Sequence, residues 1–143
     1  MNALKIGDKA PYFEGTTQDA KLCKLSDFEG KKLILYFYPK DNTPGCTRQA
    51  CNLRDGYKEL LDQGYAVVGV SRDSVASHKK FIEKYTLPFL LIADKEQSII
   101  KAYGTDPTLF FPKRTTFVID EKGYIIKIIK SVKVKAHFNQ ILS

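Results

Sequence analysis

The 143-residue chain has no tryptophan, one methionine and only three cysteines. An odd number of cysteines cannot close into a disulfide framework, so a stapled secreted scaffold is excluded. Glycine (9) and proline (6) are too few for a collagenous or low-complexity chain. No apolar run opens the sequence, because Met1-Asn2-Ala3-Leu4-Lys5 turns polar at once. No signal segment is expected, and the expected setting is a reducing, cytoplasmic one. There, two cysteines at short spacing more often do chemistry or hold a metal than staple a fold.

At 43% hydrophobic and 27% charged residues, the composition is that of a soluble globular domain, neither disordered nor membrane-spanning. The length corresponds to a single domain over 1–143. Of the net charge of +7, +5 falls in residues 113–143, which hold seven basic and two acidic side chains. Lys127, Lys130, Lys133 and Lys135 alternate there with isoleucine and valine, which reads as a solvated strand face. A nucleic-acid surface would interleave arginine or aromatic readers, and none do.

The pattern along the chain is strand, helix, strand, helix. Lys32 to Tyr38 is nearly continuous in apolar and aromatic residues, as in a strand buried on both faces, and it stops at Pro39. Gln49 to Leu61 carries apolar residues at 50, 53, 57, 60 and 61, which is helical spacing, and Gly64 closes that helix. Ala66 to Ser71 reads as a second buried strand, and Ser74 or Ser77 can cap a helix running to about Tyr85. Phe89 to Ile92 is a third strand, and a short helix from about Lys95 to Tyr103 ends at Gly104. Thr115 to Asp120 and Tyr124 to Ile129 form a hairpin, and a last helix spans about Val134 to Leu142. This order is that of a thioredoxin-like α/β fold, with a mixed sheet flanked by helices. Chemistry in such sheets collects at the carboxyl ends of the parallel strands, which directs attention to the segment after Tyr38.

Pro44 and Gly45 make a loop there and place Cys46 in the first turn of the next helix. Free backbone N–H groups and the positive helix end converge on that position, and both favour a thiolate. Thr43 can add a hydroxyl. Cys51 lies five residues further on, so in an intact helix the two Cα atoms stand roughly 8.6 Å apart with diverging side chains. A disulfide needs less than about 7 Å, and a bridge between them therefore requires the helix to unwind. On spacing alone Cys51 is either a partner that arrives after unwinding or an inert thiol.

The segments Tyr36-Phe37-Tyr38-Pro39-Lys40-Asp41, Thr43-Pro44-Gly45-Cys46-Thr47 and Ala50-Cys51-Asn52-Leu53-Arg54-Asp55 resemble the active-site region of peroxiredoxins. More narrowly, they resemble the bacterioferritin comigratory protein (peroxiredoxin Q) subfamily. The likeness extends through Val70 to Ser74, His78 to Phe81, Leu87 to Phe89 and Arg114 to Asp120, nearly the whole chain. It implies a thiol peroxidase acting on hydrogen peroxide and organic hydroperoxides, with Cys46 as the attacking cysteine and Pro39, Thr43 and Arg114 around it. It implies Cys51 as the resolving cysteine, forming an intramolecular disulfide that thioredoxin or a similar dithiol reduces. It also implies a monomer; the absence of a P-loop, a dinucleotide fingerprint and paired metal-ligand spacing leads to an expectation of no cofactor and no metal, and the composition and charge pattern to one of no nucleic-acid or membrane partner. Cys23 has no counterpart in that pattern, Asp106 to Pro112 match less well, and tryptophan is missing where relatives often carry it.

Two rival readings follow from the same thiols. A protein dithiol-disulfide oxidoreductase is disfavoured by the five-residue spacing. A zinc module built from Cys46, Cys51, Cys23 and a histidine lacks paired ligand spacing, and His78 and His137 fall in apparent helices, where solvent-facing or locally bonded roles are the default.

Overall fold

The computed structural model describes residues 3–105, 113–130 and 132–143. Met1 and Asn2 of the polar start and the weakly matching stretch 106–112 lie outside the described residues. The strands are β1 (Glu14–Thr17), β2 (Leu22–Lys24), β3 (Lys32–Phe37), β4 (Tyr65–Ser71), β5 (Leu90–Ala93), β6 (Thr115–Ile119) and β7 (Ile125–Ile129). The helices are α1 (Pro44–Asp55), α2 (Tyr57–Asp62), α3 (Val75–Tyr85), α4 (Ser98–Ala102) and α5 (His137–Leu142), with a 3-10 turn at Leu25–Phe28.

The strands form one mixed sheet in the order β2-β1-β5-β4-β3-β6-β7. β3, β4 and β5 run parallel at its centre, and β1, β2, β6 and β7 join antiparallel. Alternation along β3 separates two cores. Leu33, Leu35 and Phe37 face one side with Val68, Val70, Phe117 and Ile99. Ile34, Tyr36 and Tyr38 face the other with Cys46, Ala50, Leu53, Leu60, Phe81 and Ile141, so α1, α2, α3 and α5 cover that face. Burying both faces explains the unbroken apolar run of β3.

The expected strands and helices are present, with one helix divided and begun earlier, at Pro44, the last helix begun later, at His137, and one hairpin added. The helix read over Gln49 to Leu61 is two helices that meet at Gly56. The Phe138 ring occupies the space there, and a Cβ on residue 56 would lie 2.2 Å from its Cδ1. The addition is the β1–β2 hairpin, too short and too polar to carry a clear alternating pattern. Ser74 caps α3, its side chain accepting from the Ser77 N–H at 3.1 Å. The expected strand face of lysines is not formed: β7 ends at Ile129, so Lys130, Lys133 and Lys135 are exposed beyond the strand, and Lys127, which is on it, is not simply solvated. Its ammonium donates to the carbonyls of Gln140 and Ile141, both at 3.1 Å, and of Ser143, closing the carboxyl end of α5. Among the described residues no helix is long and apolar enough to cross a membrane.

Candidate active site

The parallel strands β3 and β4 deliver their carboxyl ends to one edge of the molecule, and the loop 38–43 leaves β3 there. Hydrogen bonds fix this loop before the helix begins. The Asp41 carboxylate accepts from Tyr38 Oη at 2.6 Å and Ser77 Oγ at 2.8 Å, and faces His78 Nδ1 at 2.7 Å. His78 Nε2 bonds the Ile92 carbonyl at 2.9 Å, and the Asp41 N–H donates to Asp73 Oδ2 at 2.8 Å. The ligand-type atoms of Asp41, Asp73 and His78 lie within 4.8 Å of one another. Each is already engaged with a protein group, and the trio ties the loop to α3 and β5.

Thr43 is the N-cap of α1 in extended geometry and Pro44 occupies the first helical position, which suits its missing N–H. Cys46 is therefore the third residue of α1, among the N–H groups that have no intrahelical acceptor. Its side chain is buried at 2% exposure. Arg114, just before β6, donates from Nη1 to Cys46 Sγ at 3.4 Å and to Gln49 Oε1 at 2.5 Å. Gly45 makes this approach possible, since a Cβ there would lie 3.1 Å from Arg114 Nη2. Thr43 donates its hydroxyl proton to the Lys40 carbonyl at 2.9 Å, which leaves its oxygen lone pairs free to accept. Pro39 is half-buried in the same loop.

The three thiols are free and unequal. Cys51 is half-buried in the intact α1, so the helical separation from Cys46 inferred from spacing applies. Cys23 lies in the core on the opposite face of the sheet from Cys46. Burial and the Asp27 charge push its thiol up to about 11, which keeps it protonated at neutral pH. The sheet thus separates Cys23 from the other two, against a shared zinc site.

Four buried polar groups in and behind the site were not expected from the sequence. Gln49, fully buried, sits one helical turn beyond Cys46 on the same face, a spacing that could have marked it. His137 corrects the expectation of a solvent-facing or locally bonded histidine. It is fully buried, with Nδ1 3.3 Å from Gln49 Nε2 and Nε2 2.7 Å from Thr116 Oγ1. The reason is α5's short apolar stripe, which aligns His137 with buried Ile141 one turn on. His78 is likewise fully buried, aligned with Phe81 on the inner face of α3. Tyr36 is buried with its hydroxyl unpartnered among the described residues. Its pKa is raised well above the usual range, chiefly by burial and then by the adjacent Cys46 charge.

Residues 6–128 match the model of the AhpC/TSA family. The chain belongs to that family. Among its peroxiredoxin relatives, Peroxiredoxin Bcp of Bacillus subtilis is 41% identical, the match covering 97% of this chain and 93% of the relative. A solved cysteine-to-serine mutant of Xylella fastidiosa PrxQ superposes with a TM-score of 0.93 at 30% identity, covering 99% and 95% of the two chains. The Xanthomonas campestris bacterioferritin comigratory protein, solved in work on its alkyl peroxide reduction activity, superposes with a TM-score of 0.86 at 28% identity over 91% and 87%. The thioredoxin-like α/β architecture and the subfamily resemblance are both borne out by these peroxiredoxin neighbours.

Proposed function

We propose that this peroxiredoxin is a thiol-dependent peroxidase in which the Cys46 thiolate attacks the outer oxygen of a hydroperoxide. The sulfur–oxygen bond forms as the O–O bond breaks. The bonding pair leaves with the inner oxygen, the one that carries the organic group or hydrogen, which takes up a proton as an alcohol or water, while the outer oxygen stays on sulfur and Cys46 becomes a sulfenic acid. Such a step needs an ionised sulfur and positive charge at the departing oxygen. The Arg114 guanidinium, 3.4 Å from Cys46 Sγ, supports both roles, and it is the observation that carries the reading. Arginine suits the position because its charge is permanent and its donors form a fixed fork. With its proton on the Lys40 carbonyl, the Thr43 oxygen keeps lone pairs that can accept the O–H of the incoming peroxide. Pro39, half-buried in the same loop, limits water around the sulfur.

In the second half of the cycle Cys51 attacks Cys46 sulfur, a disulfide forms and water leaves. The roughly 8.6 Å helical separation means that residues 46–51 must unwind first. An external dithiol of the thioredoxin type then reduces the bridge by exchange. We place the enzyme in the cytoplasm as a monomer using hydrogen peroxide and organic hydroperoxides, with no cofactor; the presence of Cys46 and Cys51 in one helix supports the monomer. That intact helix also disfavours a protein dithiol-disulfide oxidoreductase. Replacing Cys46 with serine is expected to abolish peroxide consumption in a dithiol-coupled assay. Turnover retained in that variant overturns the proposal.

A further inference from the structure

Arg114, Gln49, His137 and Thr116 form a chain of hydrogen bonds whose direction is fixed from one end. An arginine only donates, so the Gln49 atom 2.5 Å from Arg114 Nη1 is the amide oxygen. The Gln49 NH2 group then faces His137 Nδ1 at 3.3 Å, and only an unprotonated nitrogen accepts from it. The ring proton therefore sits on Nε2, 2.7 Å from Thr116 Oγ1, which accepts it. Every donor in the chain points the same way, from Arg114 to Thr116.

We propose that His137 is a positioning residue for the peroxide reaction: its bare Nδ1 holds the Gln49 amide oxygen toward Arg114, and so holds the Arg114 guanidinium beside Cys46. The inference rests on the peroxidase reading above. The surroundings enforce the arrangement. Gln49, Thr116 and His137 are each fully buried, so no solvent competes for these bonds. The Tyr36 ring packs against the imidazole with centroids 5.7 Å apart at 74°, fixing its plane. Burial, and then the Arg114 charge, lower the His137 pKa from 6.5 to about 3, so the ring stays neutral at working pH. With a proton on Nδ1 instead, the amide would have to reverse. Arg114 would then face an NH2 group and lose its second anchor.

The arrangement also gives the carboxyl-terminal segment a part in the site without contact to the reacting atoms. His137 opens α5, and α5 is clamped to α1 through Asn52, whose Oδ1 accepts from the Phe138 N–H at 2.7 Å and whose Nδ2 donates to the Lys135 carbonyl at 3.1 Å.

Three variants test this with hydrogen peroxide as oxidant and dithiothreitol as reductant, each varied separately. His137→Phe keeps a ring and removes the acceptor. His137→Gln restores an acceptor toward Gln49 and a donor toward Thr116. Thr116→Val releases the Nε2 proton's acceptor and decides the matter if the Phe variant does not fold. The expected result is a fall of about tenfold in peroxide-side kcat/KM for His137→Phe, a smaller fall for Thr116→Val, and recovery in His137→Gln. The dithiol-side kcat/KM should stay at the wild-type value, because Arg114 takes no part in disulfide reduction. A folded His137→Phe enzyme with wild-type peroxide-side kcat/KM, equal losses on both sides, or a His137→Gln variant no better than His137→Phe overturns the proposal; so does an unaffected Thr116→Val where the Phe variant is unfolded. Wild-type protein without peroxide turnover would instead refute the peroxidase reading beneath it.

Discussion

Arg114 reaches Cys46 Sγ across 3.4 Å although the two residues are 68 positions apart. β6 pairs with β3 and brings residue 114 back over the start of α1, so the antiparallel pairing builds the site as much as the helix does. Removing a donor aimed at developing charge costs about 10²- to 10³-fold in rate. Arg114→Ala is expected to lose peroxidase kcat/KM on that scale, and Arg114→Lys, which keeps charge without the fork, to retain an intermediate value. Steady-state kinetics with varied hydrogen peroxide read both.

Gly45 is the room through which that approach occurs. A Cβ at residue 45 would stand 3.1 Å from Arg114 Nη2, the far end of a flexible side chain. Gly45→Ala should therefore shift the guanidinium while leaving the fold intact, with peroxide-side activity down a few-fold and little change in Tm. A large loss of Tm would mean that the backbone, rather than Arg114, gives way.

Gly56 plays a different part. A Cβ there would meet the Phe138 ring at 2.2 Å, so Gly56→Ala must push α5 away from α1. Overpacking of this kind costs about 1–3 kcal/mol. Loosening the same contact should also speed disulfide formation, because residues 46–51 unwind against fewer restraints. Urea denaturation gives the first quantity, and the rate at which one equivalent of peroxide consumes both thiols gives the second.

How much of this was legible follows from where each cause lies along the chain. The run Lys32 to Tyr38, the cap of α3 and the placing of Cys46 in the first turn of α1 are local causes; the structure agrees with the first and third, selects Ser74 over Ser77 for the cap, and makes Pro44 and Gly45 the first two residues of the helix rather than a loop before it. The two helices meet at Gly56, where the Phe138 ring of α5 leaves no room for a Cβ, and periodicity in residues 49–61 has no access to that contact. The inward turn of His137 and Gln49 likewise depends on tertiary hydrogen bonds, although the spacing of Gln49 from Cys46 and of His137 from Ile141 hinted at it. Cys23 could not be assigned until the sheet placed it on the far face.

His137 also sets a pH dependence of stability. Its pKa falls from 6.5 to about 3 on folding, through burial first and the Arg114 charge second. Above pH 6.5 neither folded nor unfolded chain holds that proton, and the full stability is present. As pH drops from about 6.5 toward 3, the unfolded chain binds a proton that the folded chain refuses, and stability declines by up to about 1.4 kcal/mol per pH unit. Denaturant titrations at pH 7, 6 and 5 should show this slope in wild type and a flatter one in His137→Gln. Equal slopes would assign the decline to other groups.

Tyr36 gives a prediction of opposite sign. Its hydroxyl is buried without a partner among the described residues, and such a group costs about 1–3 kcal/mol when left unpaired. Tyr36→Phe is expected to leave stability unchanged or raise it, in contrast to most core substitutions. A clear loss of Tm would show that the hydroxyl has a partner in solution.

The central claim is that Cys46 attacks and Cys51 resolves within one helix. Oxidation of reduced protein with a single equivalent of hydrogen peroxide, followed by peptide mass mapping of disulfides, tests it most directly. A Cys46–Cys51 bridge is expected, with Cys23 still alkylatable after unfolding. A bridge that includes Cys23, or a Cys46 joined to a second molecule, would contradict it.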